Sequence, residues 1–401
     1  MASATDPKRC VPCEDGRRLL IAALVLRVLW ALAARKFWGY KDDGLYDDGA
    51  YLEMARAFLG GGAVLATHPP GYPLFLAPFL ALGGDLGVSL ARWAQMLLSG
   101  VTAVLAYRLT LRLKLSRAAA LTAGAFVVLS PMLTYFSARM MSETLFTALA
   151  TGSLLAWLHA WESGRAREAA LSGLLGAAAS LTRGVFLPYG GALALVALWK
   201  RRQQPRWAAL VAVCGLSWAA AMAPWTARNW RVYHRFVPVS VQGGWNFYEG
   251  MTTDLVQIRG ARADAMGREA DALGLKDPFS RDAHFAAKAE AWIAAHPLGF
   301  LRICAVKAVR FWRPAPEPPH GLLVRLGAGL FALVLFAGAL LGLRAAAAAP
   351  GGWFLLAWIA QLNLLHAVFA SNMRYRLPLE PVLAVLAGLG LARWAARVVR
   401  D

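Results

Sequence analysis

Apolar residues in this chain arrive in blocks of about 17–25, the length of helix that crosses the hydrocarbon core of a bilayer. That feature dictates the fold class: an all-α, polytopic transmembrane helical bundle. The composition agrees. Of 401 residues 58% are hydrophobic and 16 are Trp, with a mean hydropathy of +0.47, more apolar material than a soluble protein of this size needs. The formal net charge of +19 does not point to nucleic acid, because Arg and Lys gather in short loops between spans, as cytoplasmic loops do. Cys10-Val11-Pro12-Cys13 is half of a zinc site with no second half, and Cys214 and Cys304 imply no disulfide framework.

Charge sets the topology. A tail, residues 1–18, ends in Arg17-Arg18 and starts in the cytoplasm, so the first span, Leu19 to Ala34, carries the chain out. No small-residue cleavage site follows it, so it reads as an uncleaved span. The first outer loop, 38–87, contains the apolar but short and proline-rich stretch Pro70 to Gly84, which suits a re-entrant or interfacial helix. If that stretch stays outside, the span 89–109 ends inside at Arg108, Arg112, Lys114 and Arg117, as the positive-inside rule requires. Further spans follow near 118–136, 144–161, 169–182, 184–199 and 207–227, closing an N-terminal module, 19–227. An outer loop of about ninety residues, 228–321, has helical periodicity in Ile258–Leu273 and Ala283–Ala295 and reads as a cap. Spans near 322–343, 353–370 and 378–396 complete a C-terminal module, 322–401. The expectation is about ten spans with both termini cytoplasmic.

On this topology the unusual charges fall on one face: Asp42, Asp43, Asp47, Asp48, His68, Arg139, Glu143, Arg183, Arg228, Arg374, Arg376 and Glu380. Charges beside a membrane are costly unless something uses them. Carboxylates next to arginines suit a phosphorylated substrate, with arginines holding phosphate and a carboxylate as general base. Simpler roles stay open for each. Asp47 or Asp48 suits the N-cap of a helix from Tyr51, and His68, held extended by Pro69, suits a polar interfacial position. Arg139 and Glu143 have the spacing of a helical ion pair, and Arg183 can snorkel. Arg374-Tyr375-Arg376 sits outside, against the charge rule.

The order Asp-Asp-x-x-Tyr from Asp47, His68-Pro69-Pro70, Ser142-Glu143, Leu181-Thr182-Arg183, Pro224-Trp225-x-x-Arg228-Asn229 and Arg374-Tyr375-Arg376-Leu377-Pro378 resembles the GT-C superfamily of integral-membrane glycosyltransferases. The likeness is to the branch of dolichyl-phosphate-mannose–protein mannosyltransferases and lipid A aminoarabinose transferases, and matches run from Trp30 to Pro381. The resemblance implies sugar transfer from a polyprenyl-phosphate donor to a lipid, glycan or protein acceptor, on the extracytoplasmic face of a bacterial inner membrane. It maps the catalytic base onto Asp47, with Asp48 in the place of a usual Glu, and a donor-phosphate contact onto His68. Ala50 stands where the aminoarabinose enzymes carry a phosphate-binding Arg. Arg139, Arg183 and Arg376 are therefore candidates for the donor phosphate, as is Arg374, with Glu143 beside them. No cofactor is expected; the sequence has no metal-spaced His/Cys set, although acidic pairs can hold Mg²⁺ or Mn²⁺. The rival is a transporter or flippase for a lipid-linked or anionic solute. It lacks the internal repeat many secondary transporters show, and Arg27 is its sole candidate for a mid-span charge.

Overall fold

The computed structural model describes residues 11–34, 47–62, 64–200, 206–252, 262–316 and 321–398. Asp42 and Asp43 lie outside the described residues. All regular elements among them are helical. α1 (Val11–Ala33) is followed by two short helices, α2 (Asp48–Gly60) and α3 (Gly71–Leu80). Six longer segments come next: α4 (Gly84–Arg112), the bent pair α5 (Arg117–Leu129) and α6 (Pro131–Ser137), α7 (Glu143–Ser163), α8 (Ala166–Thr182), α9 (Leu187–Lys200) and α10 (Arg206–Tyr233). The outer loop contributes α11 (Gly243–Glu249), α12 (Arg262–Ala272), α13 (Pro278–Ala295) and α14 (Pro297–Arg310). The chain closes with α15 (Leu322–Ala348), α16 (Gly352–Val368), a 3₁₀ turn Met373–Leu379 and α17 (Glu380–Val398).

A helix overlaps every span expected from sequence. Among the described residues four helices are long and apolar enough to cross a membrane alone, and six are if each bent pair counts as one span. One of those pairs, α13–α14, turns through 109° within the outer loop. At 1.5 Å per residue the 17-residue helices α8 and α16 reach only about 26 Å, just short of a ~30 Å core. α3 has ten residues, about 15 Å, and cannot cross at all.

The core gathers around α17, whose residues Val382 to Ala387 are all buried. It packs against α4, α5 and α15, while α7 joins α4 to α8. Ser130-Pro131 breaks α5 from α6 by 52°. Pro131 has no N–H to offer the carbonyl of Val127, and the end of α5 leaves the carbonyl of Val128 in need of a donor too. Arg27 from α1 supplies both: its Nη2 donates to Val127 at 3.0 Å and its Nη1 to Val128 at 2.9 Å, while Nε donates to Ser99 at 2.8 Å. This charge is wholly buried. It is consumed by helix ends and does not snorkel.

The Pro-Trp-x-x-Arg-Asn motif near the end of α10 is a backbone clamp. Trp225 Nε1 donates to Val239 O at 2.7 Å and Asn229 Nδ2 to Val237 O at 2.9 Å. Arg228 donates to Val64 O and lies 5.2 Å above the Trp225 ring. Through it α10 holds the start of the outer loop against the segment leading to His68.

Candidate active site

α2 begins one residue after Asp47, which occupies the N-cap position but makes no side-chain capping bond. Its carboxylate is half-exposed and stands 3.5 Å from Nη2 of Arg374. The capping role left open by the sequence therefore does not occupy Asp47. Asp48 is buried, and so is Tyr51 one turn on. The Tyr51 ring meets His68 edge-on at 5.5 Å and Tyr72 at 5.1 Å, and its hydroxyl lies 3.4 Å from Ser142 Oγ. Burial pushes the Tyr51 phenol up to about 12, so it is a hydrogen-bonding O–H across the physiological range.

Glu143 opens α7 with a fully buried side chain. Arg183 Nη1 donates to it at 2.8 Å and to Ser142 Oγ at 3.2 Å, and Arg374 Nε is 3.7 Å away. Arg183 stands where α8 stops, in extended conformation. The sequence allowed snorkelling; instead its guanidinium is 16% exposed and paired with Glu143. Both guanidiniums lie over the Tyr375 ring, at 5.4 Å for Arg183 and 5.0 Å for Arg374. Two arginines share one buried carboxylate, and Arg374 also reaches the half-exposed Asp47. Such a pair is suited to a phosphate group.

His68 reaches this cluster because Gly71 lets the chain pass close to the end of α8. A Cβ at Gly71 would come within 2.7 Å of Thr182 Oγ1 and 2.8 Å of Thr182 N, so only a residue without a side chain brings His68-Pro69-Pro70 beside Arg183. Burial lowers the pKa of His68 and the Asp47 charge only partly opposes this. The ring is thus neutral at pH 7, with a Thr67 hydroxyl 3.3 Å from Nδ1.

The structure brings together Asp47, Asp48, His68, Glu143, Arg183 and Arg374. Arg139 is close in sequence but buried with its guanidinium 4.6 Å above the Tyr135 ring, while its carbonyl accepts from Gln95 at 2.6 Å. Arg376 faces elsewhere. In a 3₁₀ turn, residues two apart point about 120° away from each other, and its Nη1 donates to the carbonyls of Phe311 at 3.1 Å and Arg313 at 2.7 Å. Glu380 is buried and accepts from Ser130. Among the described residues no three His, Cys, Asp or Glu side chains converge as a metal site.

Sequence reasoning passed over Tyr51, Tyr375 and Glu249. The two tyrosines stand inside quoted motifs as apparent apolar filler. Glu249 ends α11 in the outer loop with no charge anomaly to mark it. Its carboxyl is raised by burial and by the Asp47 charge, and lowered by Arg374, which puts it within electrostatic reach of both.

A family model described as dolichyl-phosphate-mannose-protein mannosyltransferase matches residues 67–225, less than half of the chain. No curated protein matches the sequence. Among solved structures, the archaeal oligosaccharyltransferase AglB from Archaeoglobus fulgidus, in complex with an inhibitory peptide and a dolichol-phosphate, aligns at 12% identity and a TM-score of 0.61 over 96% of this chain and 50% of that one. ArnT from Cupriavidus metallidurans bound to undecaprenyl phosphate aligns at 16% identity and a TM-score of 0.40, over 94% of this chain and 78% of that one. The chain spans about half the length of the archaeal enzyme, and what it shares with it is the fold.

Proposed function

We propose, from the GT-C fold of integral-membrane glycosyltransferases that this multi-pass chain carries, that it transfers a sugar from a polyprenyl-phosphate donor to an acceptor hydroxyl. The observation that carries this reading is Arg374, placed between Asp47 and Glu143 with Arg183 on the same buried carboxylate. A proton acceptor thus stands directly beside a two-arginine anion site.

In the reaction, Asp47 takes the proton of the acceptor hydroxyl as its oxygen attacks the anomeric carbon. The new C–O bond forms as the bond from the anomeric carbon to the phosphate oxygen breaks. The electron pair leaves with polyprenyl phosphate, whose charge Arg183 and Arg374 stabilise. Attack opposite the leaving group inverts the anomeric centre. Neutral His68 offers a hydrogen bond to the donor, and Asp48 orients the start of α2. An apolar cavity of about 260 Å³ between α7, α8, α9 and α10 is lined by Phe186, three residues past Arg183, and by Leu193, Val211 and Trp218. It is of a kind to take part of a prenyl chain whose phosphate rests on the arginines. With the site on the outer side, both termini are cytoplasmic and the outer loop covers the acceptor.

The transporter reading loses its mid-span charge, because Arg27 is fully engaged by Ser99 and three carbonyls. The deciding experiment incubates the detergent-solubilised full chain with a panel of polyprenyl-phosphate sugars and follows release of polyprenyl phosphate. Release by the parent and not by Asp47→Asn is expected. No release with any donor, together with movement of a lipid-linked sugar across proteoliposomes, overturns the enzyme reading.

A further inference from the structure

Lys307, on α14 of the outer loop, is fully buried, and all three protons of its ammonium are spoken for. Nζ donates to Gly250 O at 2.8 Å, Val368 O at 2.9 Å and Phe369 O at 2.7 Å. These are carbonyls that end two helices: Gly250 follows α11 and Val368 ends α16. Helix C-termini leave carbonyls without intrahelical donors and carry partial negative charge, so one cation closes both ends at once. Around it the backbones touch. A Cβ at Gly250 would lie 2.7 Å from Ala370 N, and the Phe247 and Phe369 rings are 5.5 Å apart. Ser371 Oγ donates back to the Lys307 carbonyl at 3.1 Å, and His366 Nδ1 meets Ala370 O at 2.7 Å.

The segment so held, 368–372, runs directly into Arg374, and the residue before Gly250 is Glu249. We infer that Lys307 is a positioning residue: it ties the end of α11, where Glu249 stands, to the backbone that leads to Arg374, and so sets Arg374 for the donor phosphate. A lysine is a costly way to fill a buried seam that methionine would pack, since a buried ammonium must be matched by hydrogen bonds. What it gives in return is direction, three bonds that fix two helix ends in one register. Burial lowers its pKa to about 8, the direction expected of an ammonium matched by carbonyls and not by a carboxylate.

This inference rests on the donor reading above, and the test separates the two. Binding of undecaprenyl phosphate to the solubilised full chain is measured for Arg374→Gln, Lys307→Met and the double variant. Each single change is expected to weaken binding roughly tenfold, and the double to be little worse than the poorer single, because coupled residues are non-additive. Asn363→Ala removes a bond across the same α14–α16 seam, from Nδ2 to Ala308 O, and is expected to leave binding unchanged. Additive losses, or unchanged binding in Lys307→Met, overturn the inference. Unchanged binding in Arg374→Gln overturns the donor reading instead. The tie is then judged by hydrogen exchange, where Lys307→Met must raise exchange at both 246–250 and 366–374, and a rise at only one or neither overturns it. If Lys307→Met fails to fold, Ser371→Ala, which cuts the second tie to residue 307, carries the same cycle.

Discussion

Asp47 and Asp48 are neighbours in sequence with opposite surroundings, one half-exposed toward Arg374 and the other buried at the start of α2. Asp47→Asn keeps the shape and leaves α2 uncapped as before, so yield should hold while turnover falls about 10²–10⁴-fold. Asp48→Asn should cost less turnover and more stability, measured as apparent Tm. Arg374 and Arg376 divide in a similar way. Arg374→Gln is expected to weaken donor binding roughly tenfold, with some loss of Tm as the buried Glu143 keeps only Arg183. Arg376→Gln should lower Tm, as two carbonyls lose a charged donor, about 1–3 kcal/mol in all. His68 supplies the pH dependence. Its pKa is depressed in the fold, so the unfolded chain binds more protons and stability is lost as pH falls below about 6.5. Between pH 8 and pH 5 the parent's apparent Tm should fall more steeply than that of His68→Gln; equal slopes would remove His68 from the account. Asp47, His68, Glu143 and Arg183 were legible in sequence because each broke a rule, as a charge at a membrane face or a residue locked ahead of proline. Arg374 and Arg376 broke the same rule, and nothing local told them apart. Their separation depends on the 3₁₀ turn, which hydrophobic periodicity does not reveal.

Helices came through the sequence well where a single apolar block made a single element, as in α4, α10 and α15. The cap of α13 at His296-Pro297 was readable too, since proline opens the next helix. α11 and α14 were not foreseen. The first is only seven residues long, and the second buries only Lys307, held by carbonyls at the end of α16, a contact that local pattern does not encode. The short α3 was expected to stay on one side, and its length agrees. Its placement turns on Gly71. Gly71→Val should push α3 away from Thr182 and carry His68 with it. The expected result is loss of donor binding at least as large as that of His68→Gln, read on protein that still elutes as a single species. If Gly71→Val binds donor like the parent, the close approach does not set the site.

For the whole molecule, the arrangement of charge fixed which segments share a face, and the cluster of Asp47, Glu143, Arg183 and Arg374 is the local form of that global pattern. The orientation itself is open to direct test in a background without the four native cysteines. Single cysteines replacing Leu82, exposed in the α3–α4 turn, and Arg165, exposed between α7 and α8, are treated with an impermeant thiol reagent on intact cells. Residue 82 should label from outside and 165 only after lysis; the reverse result would turn the site to the cytoplasm. The pairing of Arg27 with the broken end of α5 also has a meaning in time. Ribosomes add about 5–20 residues per second, and the carbonyls of Val127 and Val128 lie 100 and 101 residues behind Arg27. For roughly 5–20 s after α1 is made, its arginine lacks those two carbonyls, at a cost of up to about 2.5–3.5 kcal/mol if it sits at the bilayer centre. α1 is therefore a poor passenger on its own: its secure residence in the membrane has to wait for a helix that the ribosome has yet to make.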